Sequence, residues 1–316
     1  MKELEIISTI KNTLNDSSFI GDDTAWADGM VFTQDTLVEN LHFAFETISP
    51  KELGIKALNV NLSDLAAAGA IPCYCLISLS LPSSISAFFV KEFYEGVERV
   101  CTKTNLKVLG GDITGGEKVV ISVAMIGKAS KPVKRSGAEI GDVVFVTGEH
   151  GNSRIGFEFL NKRFELSKPE KFVKAHLEPV PRLLEGQTII ENASDFAMMD
   201  SSDGLADALF KIAQSSEVTL CVDFQKIPID GTFLKIKKAI LENWVLFGGE
   251  DYELVGTLSE KDFEVISKKI KLYKIGHVEK MQKSPVIIEN ASSISYLDEK
   301  IIQEHAFNHF AGEDEK

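Results

Sequence analysis

The chain has 316 residues, 44% apolar and 26% charged, long enough for two domains with separate cores. A net charge of −13, from 34 basic and 47 acidic residues, argues against a nucleic-acid surface, which needs basic stripes. No apolar run approaches a membrane span, no signal sequence opens the chain, and Cys73, Cys75, Cys101 and Cys221 form no CxxC pair, so we expect a cytoplasmic protein with reduced thiols and no membrane partner.

Apolar residues at helical spacing (Leu4, Ile7, Ile10, Leu14) predict a helix over residues 3–14. A Gly21-Asp22-Asp23 turn follows, then a short strand over 30–33 running into Gln34-Asp35-Thr36. Ser49-Pro50-Lys51-Glu52 supplies the cap, first-turn proline and acidic residue of a helix start; that helix should run to Ala68 and stop at Gly69. On it Asp64 shares a row with Ala57, Val60, Ala67 and Ala68, the face expected to be buried. Next come a strand over 73–81, an amphipathic helix over 86–104, a feed through 107–109 into Gly110-Gly111-Asp112, and a strand over 119–128. The polar, basic stretch 131–138 reads as the passage between halves, so we expect domains at 1–136 and 137–316. In the second half, strands are expected at 142–147, 196–199, 219–224, 252–258, 274–278 and 285–288. Helices are expected up to Leu160 and over 181–192, 205–214 and 263–270. Neither half alternates strictly as βαβ, so the expected class is α+β, two mixed domains rather than one doubly wound sheet.

Most of the acidic signatures place a carboxylate beside Gly, Ser or Thr: Gly21-Asp22-Asp23, Gln34-Asp35-Thr36, Asn61-Leu62-Ser63-Asp64, Gly110-Gly111-Asp112 and Asp200-Ser201-Ser202-Asp203-Gly204. If these converge, two charges about 4 Å apart at an effective dielectric of about 20 repel by about 4 kcal/mol. Divalent cations relieve that repulsion, and oxygen-only ligands suit Mg²⁺ holding substrate phosphates. Each motif also has a plain reading. Gly-Asp-Asp and Gly-Gly-Asp are common turns, Gln34-Asp35-Thr36 serves as a helix cap, and Ser202 or Asp203 caps the helix after Gly204. Asp64 resists the plain reading, because a buried carboxylate is paired or ligates metal. Gly148-x-x-Gly151 matches neither phosphate-loop pattern and is read as a tight turn. Arg135 is a phosphate clamp or a linker arginine, and His42 a substrate contact or a structural histidine. No Ser-His-Asp, Cys-His, HRD or DFG arrangement is present, so neither a general base nor a covalent nucleophile is expected.

Taken in order, these residues resemble the thiamine-monophosphate kinase family, in the superfamily of aminoimidazole-ribonucleotide synthetase, selenophosphate synthetase and the hydrogenase-maturation dehydratase. The resemblance rests on GDDTA at 21–25, QDTLVENLHF at 34–43, KALNVNLSDLAAAGAIP at 56–72, GGDITGG at 110–116, KRSGAEIGD at 134–142, VTGEHGNS at 146–153, DSSDGLADAL at 200–209, GGEDYEL at 248–254 and AFNHF at 306–310. It implies ATP-dependent phosphorylation of thiamine monophosphate to thiamine diphosphate by direct in-line transfer, assisted by several Mg²⁺ ions. It implies that Asp23, Thr33, Gln34, Asp35, Asp64, Asp112, Asp200 and Asp203 hold the metal. By the same likeness Tyr94, Gly111, Asp112, Arg135 and Ser202 contact ATP, and His42, Glu250 and Phe307 lie near the thiamine moiety. A homodimer is implied too, the N-terminal α/β domains of two copies closing a shared barrel and a C-terminal α/β sandwich domain completing the nucleotide site. Gln34 stands where Ser or Thr is more usual, and Asp-Ser-Ser-Asp-Gly replaces Asp-Leu-Ser-Asp-Gly. Selenophosphate synthesis is disfavoured because no Cys sits just before Gly21.

Overall fold

Residues 3–232, 236–291 and 293–305 are described by the structure, a computed structural model. After helix α1 (Glu3–Thr13), strands β1 (Ala25–Ala27), β2 (Met30–Val38), β3 (Ile71–Leu81), β4 (Lys107–Gly115) and β5 (Val120–Lys128) form a sheet in the order β1-β2-β5-β3-β4. All its pairings are antiparallel except β3 with β4. The two-residue period of a strand sorts β2 into two faces. Val31 and Leu37 are buried on the inner face, which Thr33 and Asp35 share, while Phe32, Gln34 and Thr36 are exposed on the outer one.

The inner face is covered by α2 (Pro50–Ala67) and α3 (Ala87–Thr104). Helix α2 starts with a reciprocal cap: Ser49 Oγ accepts from Glu52 N, and Glu52 Oε2 accepts from Ser49 N at 2.8 Å. It ends before Gly69, whose φ of +59° favours glycine. Close approach of backbones sets its surroundings. A Cβ on Gly54 would lie 2.1 Å from the Phe93 carbonyl oxygen, and one on Gly96 2.0 Å from that of Lys51, so α2 and α3 meet main chain to main chain.

The second half holds β6 (Val143–Val146), α4 (Asn152–Leu160), α5 (Glu170–Leu177), α6 (Leu183–Asn192), β7 (Met198–Asp200), α7 (Leu205–Ser216) and β8 (Val218–Asp223). It continues with α8 (Lys238–Phe247), β9 (Leu254–Leu258), α9 (Glu260–Ile266), β10 (Tyr273–Lys280), β11 (Val286–Asn290), β12 (Ser293–Leu297) and α10 (Glu299–His305). The strands form a mixed sheet in the order β12-β11-β8-β10-β6-β9-β7. Val144, Val146, Leu220 and Ile288 pack with α7 residues such as Leu209 and Ile212, while Phe145 and Met198 pack with Ile189 and Ile190 of α6. Helix α2 joins both cores. Its Leu58, Leu62 and Leu65 pack under the first sheet, and its Ala66 and Ala67 pack with Phe145 and Met198 of the second.

The mixed α/β composition with two sheets agrees with the expected class. Two local expectations fail for one reason. Strand β2 continues through Asp35 to Val38, and β4 runs straight through Gly110-Gly111-Asp112, because ladders to β5 and β3 override local turn chemistry. Helices α5, α8 and α10 and strands β1 and β12 were not anticipated. Among the described residues no helix is long and apolar enough to cross a membrane, and all four cysteines are free.

Candidate active site

Three elements deliver carboxylates to one place. Strand β2 carries Asp35 on its inner face, α2 carries Asp64, and the β7–α7 junction carries Asp200 and Asp203. Asn61 locks strand to helix: its Oδ1 accepts from Asp35 N at 3.1 Å, and its Nδ2 donates to Ala57 O at 3.0 Å. Thr33 Oγ1 donates to Asp64 Oδ2 at 2.5 Å, and Ser63 Oγ to Asp200 Oδ2 at 2.5 Å, so adjacent residues of α2 bind opposite walls of the site.

At this separation the carboxylates perturb one another. Burial, then Asp203 and Asp23, push Asp35 up to about 6. Burial, then chiefly Asp23, push Asp200 up to about 7. Asp64 rises well above the carboxylate range through burial and then Asp35, Asp200 and Asp23. Asp23 is raised by burial against the pull of Arg135, whose Nη2 lies 2.6 Å from Asp23 Oδ1 and whose backbone N–H donates to Asp22. Asp203 is paired with Lys211, which also holds Asp207 at 2.6 Å.

These side chains suit a hard cation. The donors are all oxygens, and Asp200 Oδ1 is buried with no hydrogen-bond partner among the described residues. The cluster is nonetheless open. Among the described residues, the trio of His, Cys, Asp or Glu side chains with ligand atoms within 4.8 Å of one another is Cys221, His277 and Glu279, on the second sheet.

Beside the aspartates, Gly248-Gly249-Glu250-Asp251-Tyr252-Glu253-Leu254 is a charged hub. Glu250 N donates to Ser202 O at 2.7 Å, tying the hub to the Asp200–Gly204 junction. Glu250 Oε1 lies 2.9 Å from Lys56 Nζ and Oε2 3.1 Å from His176 Nδ1. Asp251 accepts from Gly151 N (2.6 Å) and Ser153 N (2.9 Å), so a carboxylate caps α4, and the Gly148-x-x-Gly151 loop is the turn its spacing predicts. Burial lifts Asp251 to about 7 despite those bonds. Glu253 is gripped by Arg182 and by Thr147 Oγ1. Glu250 and Tyr252 both take left-handed φ (56° and 52°), each costing of order 1–3 kcal/mol, which the surrounding bonds sustain. That geometry is also why β9 begins only at Leu254.

The profile of the family described as AIR synthase related protein, N-terminal domain, matches residues 21–129. Thiamine-monophosphate kinase of Bacillus subtilis (strain 168) is 35% identical over 98% of this chain and 100% of its own length. Its counterpart in Aquifex aeolicus (strain VF5) is 38% identical over 81% of this chain and 85% of its own. The chain belongs to the thiamine-monophosphate kinase family. A solved structure of AaThiL complexed with AMPPCP and TMP matches at TM-score 0.84 and 34% identity, covering 98% of this chain and 97% of that one.

Not every position that matches the family's motifs joins the cluster. Gln34 projects to the outer face of β2, where its Nε2 donates to Ser122 Oγ at 3.2 Å, so its side chain is turned away from Thr33 and Asp35. Asp112 sits on β4 in the outer-face row Thr36–Ser122–Ser78–Asp112, three strand spacings (about 14 Å) from β2. Gly111 is beside it, where a Cβ would meet Ile77 O at 1.7 Å, and Tyr94 on α3 lies near Cys75 of β3. Neither Ser202 nor Asp203 caps α7; Gly204 holds the cap position without a side-chain bond. His42 Nδ1 accepts from Val38 N at 3.0 Å in the turn after β2. Phe307 lies outside the described residues. Sequence reasoning missed Lys56, His176 and Lys211; only Lys211 stood in a readable pattern, four residues after Asp207 on α7.

Proposed function

We propose that this protein transfers the γ-phosphoryl group of ATP to thiamine monophosphate, giving thiamine diphosphate, in the cytoplasm. The observation that carries the reading is the convergence of Asp23, Asp35, Asp64, Asp200 and Asp203, drawn from four separated motifs, in a member of this family. The relative bound to AMPPCP and TMP supports the same pair of ligands.

Asp23, Thr33, Asp35, Asp64, Asp200 and Asp203 would hold Mg²⁺, with Gln34 limited to its main-chain carbonyl. Bound there, Mg²⁺ supplies the positive charge that lets two phosphorylated anions meet. The acceptor phosphate is already ionised near pH 7, so the chain need not provide a base, and transfer is direct and in line. Arg135, now held by Asp23, is placed to exchange that carboxylate for an ATP phosphate. Ser202, two residues before the Gly204 cap of α7, would meet an ATP phosphate beside the first N–H groups of that helix. His42, Glu250 and Phe307 are assigned to the thiamine moiety.

Asp112, three strands from β2, would reach the cluster of a second copy, with Tyr94 and Gly111 assigned to ATP beside it, and we read residues 1–136 as the dimerising domain and 137–316 as its partner domain. The outer face of the first sheet supports this. It exposes Phe32, Tyr74 and Leu76 beside an open β4 edge whose Ile113 is 73% exposed. The outer faces of two such sheets would close the barrel. Purified protein incubated with Mg-ATP and thiamine monophosphate should form thiamine diphosphate, with thiamine and aminoimidazole ribonucleotide precursors left unphosphorylated. Absence of that product overturns the reading.

A further inference from the structure

Lys56 is among the largest side chains buried almost completely, 1% exposed on α2, two turns before Asp64. An ammonium there is tolerated only with a fixed anion beside it. That anion is Glu250, reached at 2.9 Å, and Glu250 is itself a third exposed (34%), so the pair has a buried cation behind and an open carboxylate face in front. His176 of α5 approaches the second oxygen at 3.1 Å, and Ser153 Oγ of α4 lies 3.1 Å from the same ring nitrogen. Two elements thus converge on one carboxylate, with a third holding the histidine, and the proposed chemistry uses that carboxylate only as a substrate contact.

We propose that Lys56 and His176 are positioning residues for Glu250, holding its carboxylate ionised and aimed as the acceptor for the nitrogen-bearing ring system of the phosphate-monoester substrate. The inference rests on the functional reading above and names the groups behind its substrate contact. The charged and titratable groups facing Glu250 are Lys56 and His176, with Asp251 and Tyr252 on its own segment. Burial opposes ionisation of Glu250, but Lys56, then His176, overcome it and hold the carboxyl below its usual range. Burial and then Lys56 lower His176 against the pull of Glu250, so Lys56 is the chief countercharge and His176 Nδ1, at 3.1 Å, is the partner of the second oxygen. Both oxygens therefore have a fixed partner on the protein side, and their remaining lone pairs face outward.

The experiment is a double-mutant cycle on the full-length enzyme, Lys56→Met against Glu250→Gln, read by steady-state kinetics and by calorimetric binding of thiamine monophosphate and AMPPCP. Lys56→Met should raise the KM and Kd for thiamine monophosphate roughly tenfold or more while the ATP-side constants stay within about twofold. The double variant should be no worse toward thiamine monophosphate than Glu250→Gln alone, because Lys56 acts through that carboxylate. Its thermal midpoint should recover what Lys56→Met loses, since neither unpaired charge remains. Thiamine-monophosphate constants within about twofold of wild type in Lys56→Met, or a roughly tenfold further loss in the double variant, overturn the proposal. If Lys56→Met does not fold, the comparison of Glu250→Gln with the double variant decides alone. Wild-type protein that neither binds nor phosphorylates thiamine monophosphate overturns the functional reading instead, and this inference with it.

Discussion

Asp64 accepts one hydrogen bond, from Thr33, and faces three other aspartates. Asn in its place keeps the shape, removes an anionic oxygen and relieves like-charge repulsion. Asp64→Asn should therefore lower turnover by about 100-fold or more while leaving the thermal midpoint unchanged or higher. Turnover near the wild-type rate would remove the metal-cluster reading. Arg135 presents the opposite case, a cation spent on Asp23 and the Gly21 carbonyl. Arg135→Ala should raise the KM for ATP by roughly tenfold with a smaller effect on that for thiamine monophosphate, and an unchanged ATP constant would count against the clamp. Asp64 was legible because a carboxylate stood in a row of small apolar residues. Lys56, two turns earlier on the same helix, was not, because a lone lysine ordinarily reads as solvent-facing.

At the scale of elements, the position of α2 decides whether the aspartates meet, and that position depends on glycine contacts with α3. Gly54→Ala puts a methyl 2.1 Å from a backbone oxygen, which only a shift of the helix can absorb. Urea unfolding should show a loss of about 1–3 kcal/mol, with turnover reduced as Asp64 moves. Gly231→Ala is the control, because an added Cβ there meets nothing within 4 Å and the residue lies outside both sheets. The bounds of α2 were readable from Ser49, Pro50, Glu52 and Gly69, which are local signals. The extent of β2 and β4 was not, because it depends on ladders to β5 and β3, which lie far off in the chain. The late start of β9 follows from φ values at Glu250 and Tyr252 that no residue pattern announces.

Across the whole molecule, the raised aspartates make stability depend on pH. Asp35 at about 6 and Asp200 at about 7 stand above their ordinary value of 3.8. Between those limits the folded protein keeps protons that the unfolded chain releases. Raising the pH from about 4 to about 7 in a chelator should therefore lower the thermal midpoint progressively. Mg²⁺ should flatten that fall, because a cation favours the ionised carboxylates that burial and mutual repulsion disfavour. Asp251, raised to about 7 at the start of α4, should leave a residual slope in both conditions. Identical pH curves with chelator and with Mg²⁺ would argue against a cation site.

The order and spacing of the motifs were enough, without coordinates, to point to the family, the α+β class and an anionic phosphate-handling chemistry, because each motif is a local run whose residue types restrict what it can do. Which aspartates meet was decided only by tertiary structure. Strand alternation turned Gln34 outward and Asp35 inward, pairing with β3 carried Asp112 to a distant edge, and packing of α2 against both sheets brought Asp64 within reach of Asp200. Burial and proximity belong to the folded chain, so the charges that Lys56 and Arg135 balance had no counterpart in the order of residues, whereas Lys211 stands one helical turn from Asp207.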